Sequence, residues 1–387
     1  MSEKRLGIKE LGSSFACANV YIGALVGPAL VAGTYAVTFF LPAGCNSLWT
    51  PFVACGIVGL MCVFAAEIIR EFKTYDYGAA ANVIYGGNKI LRGVFEIYII
   101  LSNVVGCAIV QSMSGTFCQE LFGFPPLAGM VIMAGISLVM IYFRDKMIRF
   151  MNSAMSVVMM IGFIVISVLV ILLYGDKLME ALSGWYVPET SSPGQMWNNI
   201  RIFAFGSTGF AITLCCVEQP IKKFRQSVWI GVFTMICGGI MMALSCFTFL
   251  PFIGEVLGNP VPLVYVMDNY ISGYFGWIPT VYYIIMLLAI LSSIVPGCYM
   301  ISSRWQNLLP DKGFGKERTK EFCDNRNNMM IAVIYLAACT GISMLGLSTV
   351  LNYGLNIISY IGIPLVCIPI FFIWPYKLHK RRKAAGK

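Results

Sequence analysis

Apolar runs of about twenty residues recur along the whole chain, and they limit how it can fold more than any other feature. Each run is long enough to cross a hydrocarbon core of roughly 30 Å as a helix. Charged residues make up only 12% of the sequence, against about 25% in soluble domains. We therefore predict an all-α membrane protein of about ten transmembrane helices. The predicted spans are residues 12–41, 50–70, 91–121, 126–143, 149–174, 198–217, 227–252, 277–303, 328–346 and 348–375.

The basic residues occupy alternate connections between these spans. With a cytoplasmic N-terminus, 25 of the 27 lysines and arginines fall in cytoplasmic segments, and only Lys177 and Arg201 fall outside. Because basic residues mark the cytoplasmic side, both termini are predicted to be cytoplasmic and the number of spans to be even. We expect a multi-pass protein of a bacterial cytoplasmic (inner) membrane. The basic tail, residues 377–387, either contacts anionic lipid or serves only as a topology signal.

Several classes of function lack support in the sequence. The net charge of +9 comes from these membrane flanks, so the expected partner is the lipid bilayer and not nucleic acid. The 14 cysteines form no C-x-x-C pair, and the only histidine, His379, lies in the tail. No pair of carboxylates falls at the middle of a span, so no enzyme is predicted. No cofactor is expected other than a coupling ion.

The longest predicted external connection, residues 176–197, divides the chain into halves of five spans, 1–175 and 198–376. Since five is odd, the halves cross the membrane in opposite directions, as in inverted repeats. Transporters built from such repeats bind substrate near the midplane, where helices are interrupted. A second external segment, residues 260–272, is predicted to be a helical lid or re-entrant piece, with a solvated loop as the alternative.

The first span of each half contains residues that interrupt helices. Gly23, Gly27, Pro28 and Gly33 follow one another in the first span, and residues 205–210 of the sixth read Phe-Gly-Ser-Thr-Gly-Phe. Proline removes a backbone donor, and glycine tolerates unwinding. Unwound backbone at membrane depth occurs only where it is buried in protein or lines a cavity. We predict two broken helices at a shared site, although either segment alone also fits close helix packing.

Two stretches resemble known transporter sequences. Ile22 to Leu30 is similar to the glycine-rich first helix of the amino acid–polyamine–organocation superfamily. Tyr21 to Phe40, with its spacing Tyr-Ile-Gly-x-x-x-Gly and closing Phe39-Phe40, resembles more closely the YkvI-like family of bacterial membrane proteins. Span order and the ending from Gly346 to Pro369 extend the resemblance over most of the chain. The resemblance implies the LeuT-type fold and a transport role, without a specific substrate.

The resemblance also implies a sodium site between the first and eighth spans. The matching ligands are the carbonyls of Gly23, Val26 and Ala289 and the hydroxyls of Ser292 and Ser293. An all-oxygen shell of this kind suits sodium, and a broken helix exposes such carbonyls. The alternative is that the two serines donate hydrogen bonds back to their own helix.

The substrate site is predicted at the breaks. Amides after the first break lie at a positive helix N-terminus, which suits a carboxylate. Asn103, Cys107 and Gln111 share one face of the third span, where they contact either substrate or a neighbouring helix; Asn352 and Asn356 repeat that spacing on the tenth span. The predicted substrate-binding residues are Gly27, Ala29, Asn103, Gln111, Phe205, Gly206, Ser207, Thr208 and Gly209.

The glutamates near span ends are predicted to pair with basic neighbours at the cytoplasmic interface. The pairs are Glu67 with Arg70, Glu96 with Arg92, and Glu218 with Lys222. Glu218 is also the candidate for a proton-linked or gating role. The lack of a carboxylate at mid-span favours a zwitterionic or anionic substrate over a bare cation.

These features predict a secondary active transporter for a small solute, such as an amino acid or a related zwitterion or anion. Alternating access is expected, driven either by sodium or by the gradient of the substrate itself. A membrane sensor that binds its ligand at the same site without moving it is the alternative. A channel is disfavoured because the spans carry no repeated polar rings.

Overall fold

We describe the computed structural model over residues 7–74, 77–142, 145–206, 221–259, 261–306 and 320–375. Throughout these ranges the regular elements are helices, and no strand occurs. Five of the helices here are long and apolar enough to cross a membrane, or six if one bent pair counts as a single span. The chain is therefore an all-helical, multi-pass membrane protein. The full count of ten spans and the inverted repeat stay predictions.

The α-helices of the described ranges follow in chain order: α1 Ile8–Val31, α2 Thr50–Phe72, α3 Tyr77–Tyr85, α4 Lys89–Phe122, α5 Pro126–Tyr142, α6 Asp145–Leu173, α7 Gly175–Ser183, α8 Pro193–Gly206, α9 Phe224–Phe249, α10 Ile253–Val256, α11 Pro262–Val266, α12 Ile278–Gln306, α13 Lys320–Ser343, α14 Leu347–Thr349 and α15 Leu355–Gly362. Tighter or wider helical turns join them: Ala36–Phe40, Leu41–Leu48, Leu250–Phe252, Met267–Ile271, Val350–Gly354, Ile363–Cys367 and Pro369–Ile373.

The helix ends have local causes that can be seen in the sequence. The side chain of Asn88 caps α4 by accepting hydrogen bonds from the amides of Ile90 and Leu91 at 3.0 and 3.3 Å, which satisfies two otherwise unpaired donors. Gly123 ends the same helix in the left-handed conformation, with φ of 68°. The predicted first span, 12–41, stops being a regular helix at Val31, and Gly33 there has φ of 79°.

The helices form two packed groups. In one, α2 packs against α8 and α9, and α1 packs against α9. In the other, α4, α5, α12 and α13 contact one another. The two groups meet where α1 packs on α12, while α6 lies on α12 and α15 lies on α8.

Glycines allow the closest of these contacts, between α2 and α9. A methyl group on Gly59 would lie 2.5 Å from the carbonyl oxygen of Gly231, and one on Gly231 would lie 2.6 Å from that of Gly59. Small residues let membrane helices approach in this way. The segment predicted as an external lid is helical, since α11 and the turn Met267–Ile271 occupy it.

Candidate functional site

The predicted break in the first span has a counterpart in α1. Gly27 has φ of −10° and ψ of −159°, far from helical values, and separates two helical stretches. A departure of this kind interrupts the ladder of backbone hydrogen bonds that crosses it. Gly27 and Ala29 are both buried. Gly23 and Val26, whose carbonyls are predicted sodium ligands, lie in the helical stretch before the break.

The break touches α12 at one of the predicted ion ligands. A methyl group on Gly27 would lie 3.1 Å from the hydroxyl oxygen of Ser293. On the adjacent position, the hydroxyl of Ser292 is buried and donates to the carbonyl of Ala289 at 2.8 Å. Ser292 thus makes the bond to its own helix that was the alternative to ion binding. Its oxygen keeps acceptor capacity, so the arrangement is compatible with a sodium ligand.

Asn103 on α4 approaches α12 at Gly297, one helical turn from this contact. Its side-chain oxygen would be 3.4 Å from a methyl group on Gly297, four residues after Ser293 and on the same face. The same oxygen accepts a hydrogen bond from the hydroxyl of Tyr335 on α13, and the Asn103 backbone carbonyl accepts from it at 3.1 Å. No pattern in the sequence pointed to Tyr335 as this partner.

The other residues of the polar face on α4 also meet α13. The side-chain oxygen of Gln111 accepts from the hydroxyl of Thr340 at 3.1 Å. Its amide nitrogen is buried and has no hydrogen-bond partner within the described ranges. Cys107 is buried against Cys339. The face therefore forms interhelical contacts at Asn103 and Gln111, and both residues stay predicted substrate ligands.

On the second predicted break, the structure describes Phe205 and Gly206, the last residues of α8. A methyl group on Gly206 would lie 3.1 Å from the carbonyl oxygen of Leu355 on α15. Phe205 is half-buried. The rest of this prediction, Ser207, Thr208 and Gly209, and the gating candidate Glu218 lie outside the described residues.

An aromatic cluster joins α8 to the segment that follows α1. The ring of Phe203 packs edge-to-face against Tyr35, Phe39 and Phe40, with centroid distances of 5.8, 6.1 and 5.0 Å. The segment 35–40 follows the first predicted break, and α8 precedes the second. The cluster lies on the side that is external in the predicted orientation.

A charged residue that the sequence analysis counted on the external side belongs to the same region. Arg201 on α8 donates to the hydroxyl of Ser359 and the side-chain oxygen of Asn356, both at 2.6 Å. It therefore ties α8 to α15. The sequence could have indicated this role, because Arg201 lies within a predicted span, and an ionisable residue there is a functional candidate.

Of the predicted interface pairs, that of Glu67 and Arg70 is confirmed, with a nitrogen–oxygen distance of 2.8 Å. Ser227 on α9 also donates to Glu67, at 2.7 Å. Among the residues described, no group of three or more His, Cys, Asp or Glu side chains is arranged to hold a metal ion.

Comparison with known proteins identifies the fold. No protein-family model and no curated protein sequence matches the chain. Among solved structures, it is similar to MhsT in complex with L-phenylalanine, with 13% identity, a TM-score of 0.62 and coverage of 94% of this chain and 96% of that one. A substrate-bound Na⁺-coupled sialic acid symporter has 12% identity, a TM-score of 0.59 and coverage of 94% and 85%.

A manganese transporter of Eremococcus coleocola is also similar, with 14% identity, a TM-score of 0.57 and coverage of 96% and 80%. The chain therefore shares the fold of these LeuT-type transporters, as the resemblance in its first span implied. At such low identities the likeness concerns the fold alone. The relation to the YkvI-like family stays a prediction.

Proposed function

We propose that this protein is a secondary active transporter for a small solute, and that it works by alternating access between the two sides of the membrane. One observation carries the proposal: α1 loses helical geometry at Gly27, in contact with Ser293 on α12. Irregular backbone that is buried among helices at membrane depth is a feature of transporter binding sites.

The packing supports the motion that such a transporter needs. The group of α1, α2, α8 and α9 and the group of α4, α5, α12 and α13 are each internally packed. Alternating access then consists of one group rocking against the other around the Gly27–Ser293 contact. We propose that the halves 1–175 and 198–376 are inverted repeats, with the second break at residues 205–210.

An amino acid or a related zwitterion or anion is the substrate class we propose. The similar structures are named for different cargoes: L-phenylalanine, sialic acid and manganese. A divalent metal ion needs several hard ligands, and the described residues offer no such cluster. An organic carboxylate needs only donors, which the amides beyond Gly27 provide.

Sodium is the proposed coupling ion. Gly23, Val26 and Ala289 would supply carbonyls, and Ser292 and Ser293 would supply hydroxyls. The proximity of Gly27 to Ser293 supports this set, because it brings the broken part of α1 to the serine pair. The hydrogen bond from Ser292 to Ala289 also holds two of the proposed ligands together.

Uptake into liposomes tests the proposal. The purified protein is reconstituted and assayed for thermal stabilisation and uptake with a panel of L-amino acids and sialic acid, with and without a sodium gradient. Sodium-dependent uptake that Ser292→Ala and Ser293→Ala abolish is expected. Ser137→Ala is the matched control, because Ser137 on α5 is equally buried and donates to its own helix at 2.8 Å.

Each other result leads to a definite revision. Binding without uptake favours the alternative, a membrane sensor that uses the same site. Uptake that is indifferent to sodium removes the ion site and leaves the transporter in place. Equal losses in Ser137→Ala and in the two site variants would mean that the serines act on folding only.

A further inference from the structure

The guanidinium group of Arg201 joins α8 to α15 through neutral groups. One terminal nitrogen, Nη1, donates to the Ser359 hydroxyl at 2.6 Å. The other, Nη2, donates to the side-chain oxygens of Asn356 at 2.6 Å and Asn198 at 2.8 Å. The cation also lies 4.1 Å from the centre of the Tyr360 ring. These contacts fix the group between the two helices.

Two other cations of the described ranges, Arg70 and Lys223, have carboxylate partners. Arg70 pairs with Glu67 at 2.8 Å and with Glu71 at 2.6 Å, and Lys223 pairs with Glu10 at 2.7 Å. In the same ranges no carboxylate lies within 4 Å of Arg201. A half-buried cation among apolar helices is costly, and such residues are kept where they act on a ligand or a pathway.

The edge of the guanidinium group that holds α15 is one that can bind a carboxylate. The two terminal nitrogens of a guanidinium match both oxygens of a carboxylate in a bidentate pair. Here the same two nitrogens hold Ser359 and Asn356, which lie on a single turn of α15. A carboxylate adds the attraction of an opposite charge, which the neutral oxygens of Ser359 and Asn356 lack. A carboxylate that reaches Arg201 therefore competes with both residues for this edge.

Arg201 is also adjacent to the candidate substrate site. It lies one helical turn before Phe205 on α8. Gly206 contacts Leu355, and Leu355 precedes Asn356 on α15. A carboxylate bound to Arg201 would thus lie next to the predicted second break. It would reach this position from the predicted external side.

We propose that Arg201 recognises a carboxylate group on the substrate, and that this recognition releases α15 from α8. The inference rests on the proposed transport function and deepens it: Arg201 selects carboxylated solutes, and the occupied site opens the external side. An approaching ligand without a carboxylate leaves the contacts to Asn356 and Ser359 in place.

The first test compares acids with their amides. Reconstituted protein is given each L-amino acid of a panel and the matching amino-acid amide, and binding and uptake are measured separately. Arg201→Gln is expected to reduce the preference for acid over amide by about tenfold or more. Arg201→Lys keeps the charge without the planar edge and should retain part of the preference. The control is Lys177→Gln, which removes an exposed basic residue of the same predicted side.

A second test needs no substrate. Asn356→Asp places a fixed carboxylate on the Arg201 edge, so the variant should unfold at a higher temperature than the wild type. The gain should vanish in the Arg201→Gln/Asn356→Asp double variant. An Asn356→Asp variant without that Arg201-dependent gain would show that this edge has no preference for a carboxylate, and would overturn the inference even if Arg201→Gln fails to fold.

The outcomes separate the inference from the proposed function. Uptake with an acid-to-amide ratio unchanged in Arg201→Gln overturns the role of Arg201 and leaves transport standing. Acid binding that depends on Arg201 but is never followed by uptake supports the recognition and removes the transport function.

Discussion

Gly27 and Ser293 lie close together across the two helix groups: a methyl group on Gly27 would lie 3.1 Å from the Ser293 hydroxyl oxygen. The residue at which α1 leaves helical geometry is therefore the one that meets the predicted ion site on α12. A contact this tight leaves no room for a larger residue at position 27 unless Ser293 moves.

Replacing Gly27 with alanine tests this contact. We expect Gly27→Ala to lower stability by about 1–3 kcal/mol, as overpacking does, and to reduce uptake more than tenfold. The double variant Gly27→Ala/Ser293→Ala removes the oxygen that is contacted and should recover most of the lost thermal stability. Gly12→Ala is the control, since it lies on the same helix with no atom within 4 Å of the added methyl group. If the double variant does not recover stability, the contact with the Ser293 hydroxyl is not the cause of the destabilisation at Gly27.

The close approach of α2 and α9 predicts a second glycine effect. A methyl group on Gly231 would lie 2.4 Å from Val63 and 2.6 Å from the backbone oxygen of Gly59. Because the backbone oxygen cannot rotate away, Gly231→Ala should separate the helices and lower the unfolding temperature in detergent. Gly135→Ala, in the middle of α5 with open space around it, should be neutral or slightly stabilising, because alanine is the better helix former. Equal effects of the two substitutions would contradict the packing of α2 on α9.

The sequence was informative where a local property decides the structure. Length and apolarity of the runs predicted the long helices α2, α4, α9 and α12. The glycine next to a proline in the first span coincides with the non-helical geometry of Gly27, while the pair of broken helices stays a prediction. Residues 36–41 were predicted as the end of the first span, but residues 36–48 form short, irregular helical turns instead. Pro42 cannot donate a backbone hydrogen bond, and Gly44 has φ of 59°.

Partners contributed by distant segments could not be predicted. Tyr335 and Thr340 complete the hydrogen bonds of Asn103 and Gln111, yet lie more than two hundred residues away in the chain. Arg201 was grouped with the external basic residues. Its partners on α15 could not be predicted, because the sequence does not show that α15 packs against α8. In each case tertiary packing supplies the information that the pattern lacks.

The buried carboxylate of Glu67 predicts unequal effects of neighbouring substitutions. Glu67 accepts from Arg70 at 2.9 and 2.8 Å and from Ser227 at 2.7 Å, which links α2 to α9. Glu67→Ala should cost about 3 kcal/mol, because it removes one partner of a largely buried pair. Glu71→Ala, which removes the more exposed partner of the same arginine, should cost less than about 1 kcal/mol. Thermal unfolding of both variants in detergent measures the difference, and similar costs would show that burial of Glu67 contributes nothing.

The ion pair between Glu10 and Lys223 predicts the response to acid on the predicted cytoplasmic side. The hydrogen bond from Lys223 holds the pKa of Glu10 below its usual value of 4.5, with help from the Gly7 amide. Since the folded pKa is lowered, the pair stabilises the folded chain above about pH 4.5. That contribution is lost as the pH falls through the lowered pKa.

The unfolding temperature of the wild type should therefore fall more steeply between pH 5 and 3 (roughly the range set by this pKa) than that of Glu10→Gln or Lys223→Met. Lys222→Met, which leaves the hydrogen bond intact, should keep the steep fall. A steep fall in Glu10→Gln as well would assign the acid response to other carboxylates and leave the tie between α1 and the start of α9 without a measurable role.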